Sequence, residues 1–82
     1  ALQADMPSWW QNRGQTRLRL QDFDGALADF AETIRLAPRT AAAQLGMAQV
    51  YLARSDAALA LPYLDRAIEL DESLAEAYAW RA

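Results

Sequence analysis

Shifted by 34 residues, the chain matches itself in one register. Trp10 falls on Gln44 and Tyr78, Gly14 on Ala48 and Ala82, and Leu18 on Leu52. Asp22 falls on Asp56, Ala26 on Ala60, Phe30 on Leu64, Ile34 on Ile68 and Leu36 on Leu70. A period of this length marks a small supersecondary unit that cannot bury its apolar face alone. Neighbouring units must stack, so contacts run between sequence neighbours. At 82 residues there is one core at most, and a chain this short buries roughly 60% of its surface.

The apolar residues inside each unit recur at helical spacing. Ala26, Leu27, Phe30, Ile34 and Ala37 form one such series; Ala60, Leu61, Leu64, Ala67 and Ile68 form another. The breaks are Pro7-Ser8, Gln21-Asp22, Ala37 to Thr40, Ser55-Asp56 and Asp71 to Ser73. Asp22 and Asp56 are candidate N-caps, and Pro38 ends the helix before it. No alternating β-branched segment or Asn-Gly turn occurs, which predicts no strands. The pattern predicts an all-α chain of five helices, about 8–20, 23–37, 41–53, 57–70 and 74–82. Pro62 falls inside the fourth, so that helix either starts late or bends in its second turn.

At these positions the chain resembles the tetratricopeptide repeat (TPR) family. A first repeat, 7–40, carries Trp10, Gly14, Ala26, Phe30 and Pro38 at the family's Trp, Gly, Ala, Phe and Pro positions. A second, 41–74, carries Leu45, Ala48, Tyr51, Ala60, Leu64 and Ala67. Residues 75–82 match the opening of a third, or a capping helix, and 1–6 form an N-terminal extension. Arg13 and Arg17 replace the usual Leu and Tyr, Gln44 the aromatic, and Glu72 the closing proline. The resemblance implies antiparallel helix pairs stacked into a right-handed α-α superhelix. Its concave face is lined by the first helix of each pair and holds a peptide or protein, without chemistry of its own. The resemblance places Gln11, Gln15, Leu18, Arg19, Leu45, Gln49 and Leu52 in that groove, with Ser8, Ala42, Ala53, Glu76 and Ala79 beside them. The dicarboxylate clamp of some members is absent, since Gln11, Gln15, Gly46, Glu76 and Trp80 stand at its positions.

The residue types argue against an enzyme. Cysteine and histidine are both missing, which removes thiol chemistry, zinc-ribbon sites and the commonest general base. The glycines Gly14, Gly25 and Gly46 are too scattered to cradle a phosphate. Carboxylate pairs such as Asp22/Asp24 and Asp65/Glu69 read as caps and solvated faces rather than a metal or acid–base site. No catalytic residue, cofactor or metal is expected. The net charge of −3 opposes nucleic-acid binding. No run of about 20 apolar residues would cross a membrane. Residues 1–7 do not form an intact signal peptide. All basic charge is arginine and alanine is the commonest residue, the bias of a GC-rich bacterial genome. A soluble protein of bacterial cytoplasm or periplasm fits; the compartment stays open.

Three further groups have a bland and a sharp reading. Arg13 and Arg17 lie one turn apart, with Arg19 nearby: an anion-binding ridge, or stems on a wet face neutralised by Asp24 or Asp29. Trp10 reads as core. Trp9 aligns with Ala43 and Ala77, where a small residue lets repeats touch; it reads as an N-terminal edge, capping or anchoring a partner. Tyr78 and Trp80 would lie on an uncovered terminal face. With Trp9 they are the candidate self-association residues, for a homo-oligomer or for continuation into further repeats. The leading expectation is a protein-binding scaffold. The alternative is a structural module that assembles through its open ends.

Overall fold

A computed structural model describes residues 6–71 of the chain. They form four helices: α1 (Pro7–Arg19), α2 (Phe23–Leu36), α3 (Ala41–Ala53) and α4 (Ala57–Leu70). Among the described residues there is no strand. The chain is all-α, and each boundary falls within a residue or so of the one that periodicity predicts. The fifth expected helix, 74–82, lies outside the described residues.

Local chemistry explains the boundaries. Pro7 opens α1, where its missing N–H costs nothing. The Asp22 side chain accepts from the Gly25 amide at 3.1 Å, and Asp56 accepts from the Leu59 amide at 3.2 Å. Both predicted caps are therefore made. Pro38 stops α2 at Leu36. Pro62 neither delays nor ends α4, which begins at Ala57 on the Asp56 cap and runs on to Leu70.

The turns after α1 and α3 are copies of one another. Asp22 N–H donates to Arg17 O and Asp56 N–H to Tyr51 O, each at 2.8 Å. Gln21 donates to Leu18 and Ser55 to Leu52, each at 3.0 Å. This is a Schellman ending, with its left-handed residue at Gln21 (φ 64°) and Ser55 (φ 61°). Every partner in one turn lies 34 positions from its counterpart in the other. The sequence period is thus also a period of backbone hydrogen bonding.

Each turn reverses the chain. Thr33 Oγ1 donates to Pro7 O at one end of α1 and α2, while Arg17 meets Asp22 near the other. That pairing is antiparallel. α1 packs on α2, α3 on α4, and α2 on α3. The core is Ala26, Phe30, Met47 and Val50, flanked by Leu18, Phe23, Leu27, Ile34, Tyr51 and Tyr63. Phe30 is fully buried between two glycines. A methyl group on Gly14 would sit 2.9 Å from its ring, and one on Gly46 only 2.6 Å. The two glycines let α1 and α3 close on the ring from either side. Ala26 and Ala60, aligned in the repeat, are both fully buried.

Candidate functional site

The groove residues divide between the two odd-numbered helices. α1 carries Gln11, Gln15, Leu18 and Arg19; α3 carries Leu45, Gln49 and Leu52. Leu52 is 48% exposed and Arg19 is exposed, while the other five are partly buried. Gln11 bridges the helices, its Nε2 donating to Ala42 O at 3.3 Å. Its Oε1 is buried and accepts no hydrogen bond. Gln11 therefore ties α1 to α3, and one of its amide atoms still seeks a donor. Gln15, Gln49 and Arg19 make no side-chain hydrogen bond or ion pair among the described residues. No interaction joins these three to one another.

Arg13 and Arg17 have partners within the chain. Asp29, 1% exposed, accepts from Arg13 Nε and Nη2 at 2.9 Å each. Arg17 Nη1 lies 3.4 Å from the same carboxylate, and Arg17 Nε lies 3.8 Å from Asp22. One buried carboxylate is held in a fork by one arginine and approached by a second. Such bidentate geometry is the strong form of the contact. The Asp29 hydrogen bond, more than its charge, holds the Arg13 guanidinium above its ordinary pKa. Both stems remain about one-third exposed, at 37% and 34%. The neutralised reading accounts for these arginines, and the ridge is filled from inside.

The same guanidinium organises the tryptophans. Arg13 Cζ sits 4.6 Å from the Trp9 ring centroid and 4.9 Å from that of Trp10. The two rings meet edge to face at 4.8 Å. Both are partly buried, so Trp10 is not one of the buried core residues that the sequence predicts it to be. The aligned residue, Gln44, is buried in its place on α3. Tyr78 and Trp80 lie outside the described residues.

The sequence reading named Asp29 only as one of two possible counter-ions. Asp24, the other, faces a different cation, with Arg54 Nη1 at 3.4 Å. A signal for Asp29 existed: helical spacing puts it on the same buried face of α2 as Ala26, Phe30 and Thr33. Among the described residues no group of three acidic side chains could hold a metal. No helix there is long and apolar enough to cross a membrane. A scan against protein-family models finds no match, and neither does a search of the curated proteins.

Proposed function

We propose that the chain is a non-catalytic protein-interaction module built on the TPR plan. Residues 7–40 and 41–74 are its two repeats, and 74–82 is a fifth helix. On this reading the pairs stack as a right-handed superhelix, and α1 and α3 line the concave side. A peptide or a protein segment lies there as ligand. The observation that carries the reading is the contrast along α1. Arg13 and Arg17 are consumed by Asp29, whereas Gln15 and Arg19 on α1, with Gln49 and Leu52 on α3, keep their side-chain hydrogen-bonding or apolar capacity. Amides suit a peptide backbone, leucines suit apolar side chains, and Arg19 adds one cation.

The test is selection of displayed peptides on the full chain, followed by titration of a fluorescent copy of the best one. The variant carries Gln15→Ala, Gln49→Ala and Arg19→Glu. Gln11 is left intact because it ties α1 to α3. Affinity should fall at least tenfold while the melting midpoint holds. Unchanged affinity, or no selected peptide, overturns the groove. The second reading is assembly through the open end, favoured by the exposure of Leu59 (50%) and Leu61 (57%). Sedimentation over a hundredfold concentration range separates the two. A monomer at every concentration removes assembly, and a dimer dispersed by Leu61→Ser supports it.

A further inference from the structure

α1 and α3 hold equivalent places in the two pairs, yet they are covered very differently. α3 buries Ala43, Gln44, Gly46, Met47, Ala48 and Val50, whereas α1 buries only Gly14. The difference lies on one side. Met47 and Val50 join Ala26 and Phe30 of α2 in the core, and Gly46 meets the Phe30 ring. Their counterparts on α1 are Arg13, Thr16 and Asn12. Among the described residues no helix precedes α1 as α2 precedes α3. Asn12 and Thr16 are exposed, and Trp9 and Arg13 are half-buried.

Leu20 continues this stripe. Its N–H donates to Thr16 O at 3.1 Å, so the helical turn runs through it, and it is 74% exposed. Trp9, Asn12, Thr16 and Leu20 stand three, four and four positions apart, which is one face of a helix. The order along that face is apolar, amide, hydroxyl, apolar. Turned end for end, it meets its own kind.

A helix laid on this face must answer Asn12 and Thr16, because burial without partners is costly. The Asn12 side chain makes no hydrogen bond among the described residues. The Thr16 hydroxyl donates to Asn12 O at 3.2 Å, and its oxygen can still accept. The α4 side chains in register with the α2 core, Leu61, Leu64 and Ile68, offer neither donor nor acceptor. A second α1 offers both. Charge permits the approach, since Arg13 and Arg17 are met by Asp29 and Asp22 within each copy.

We propose that this face of α1 is a homodimer contact, in which α1 meets α1 of a second copy, antiparallel and about a two-fold axis. Trp9 of each copy covers Leu20 of the other, and Asn12 Nδ2 donates to Thr16 Oγ1 across the axis. The two-fold makes each contact twice. Asp29 holds the Arg13 guanidinium in a fork against both tryptophans, so the Trp9 ring is fixed before the copies meet and less freedom is lost. The contact uses neither Leu59 and Leu61 nor the groove residues of α1, so it can fail without either reading given above.

The chain has no cysteine, so single introduced thiols report the pairing. A mixture of Asn12→Cys and Thr16→Cys chains should form a mixed disulfide under mild oxidation. Its yield should exceed that of a mixture of Thr16→Cys and Leu61→Cys chains. A second mixture that matches or exceeds the first makes the occupant α4 of another copy and overturns the proposal; so does the absence of a mixed disulfide in both. Sedimentation equilibrium of the unsubstituted chain gives an independent measure. Its dimer should be weakened about tenfold or more by Leu20→Ser, which removes two apolar contacts, and left unchanged by Leu61→Ser. A monomer throughout, or a dimer indifferent to Leu20→Ser, overturns the proposal. Leu20 is exposed, so the substituted monomer should keep its melting midpoint in dilute solution. The disulfides are read with Leu20 in place, so that result stands even if Leu20→Ser folds poorly.

Discussion

The two helix pairs share a backbone but close their seams with opposite chemistry. In the first pair the seam holds Arg13 and Arg17 on α1 around the buried carboxylate of Asp29 on α2. Thirty-four positions on, the same three places hold Met47, Tyr51 and Tyr63. Met47 is buried, and the two tyrosine rings stack with centroids 5.7 Å apart. An ion cluster and an aromatic stack therefore do one geometric job. Even the neighbouring position follows suit. Gly25 leaves room for Asp22 and Arg17, since a methyl there would sit 2.4 Å from the Asp22 carboxylate. Its counterpart Leu59 points out to solvent. The lesson is that the Schellman turns, the caps and the small alanines set the pairing. The seam between helices accepts any set that is complete within itself.

The largest expected effect tests whether the core belongs equally to both pairs. Phe30 is fully buried between Gly14 and Gly46, so Phe30→Ala should cost about 3–5 kcal/mol. Its counterpart Leu64 is only partly buried, and Leu64→Ala should cost about 1–2 kcal/mol. Chemical denaturation measures both. Equal losses would mean that the core is not centred on Phe30. Next in size is Asp29→Ala, at about 1–3 kcal/mol, because the arginines can rehydrate where a buried partner could not. The loss should shrink in 1 M salt, while Tyr63→Ala should be insensitive to salt.

The seams can also be exchanged. Arg13→Met, Arg17→Tyr and Asp29→Tyr together write the second seam into the first pair. Well-packed apolar sets often replace a buried ion cluster without loss. The melting midpoint of the triple variant should hold or rise, and each single change should lower it. A triple variant worse than the sum of the singles would show that the first pair requires its ions. One constraint comes with the swap. Trp9 and Trp10 lose the cation between them, so their emission should shift as Arg13 is replaced.

Much of this architecture is legible in the sequence. Helix spacing, both aspartate caps and the pairing of Ala26 with Ala60 follow from period and side-chain chemistry alone. The seam does not. Arg13 and Arg17 stand out as departures at apolar positions, yet nothing local says that Asp29, on the next helix, answers them. That partnership needs the antiparallel geometry, which brings position 13 beside position 29. Reading the shifted columns in pairs recovers it, since both sides of the seam are polar together and apolar together. Gly46 was equally silent, because it aligns with Asn12 and not with Gly14. Its meaning comes only from the Phe30 ring that reaches across. In the groove, Gln11 looked like Gln15, one turn away. Only the structure separates them, by giving Gln11 the Ala42 carbonyl.

The smallest expected effect tests the feature that the two pairs hold in common. Gln21 and Ser55 both occupy the left-handed region, where a residue with a Cβ carries about 1–2 kcal/mol of strain. Glycine relieves that strain but has more freedom to lose from the unfolded chain, about 0.5–1 kcal/mol. The difference leaves a gain of up to about 1.5 kcal/mol for Gln21→Gly, and the same for Ser55→Gly. Both side chains are exposed, so neither substitution removes a core contact. The turns lie in different pairs, so the two gains should add within a few tenths of a kcal/mol. Denaturant midpoints of the two singles and the double decide this. If one glycine stabilises and the other does not, the two turns are alike in hydrogen bonds but not in strain, and the 34-residue equivalence ends at the backbone pattern.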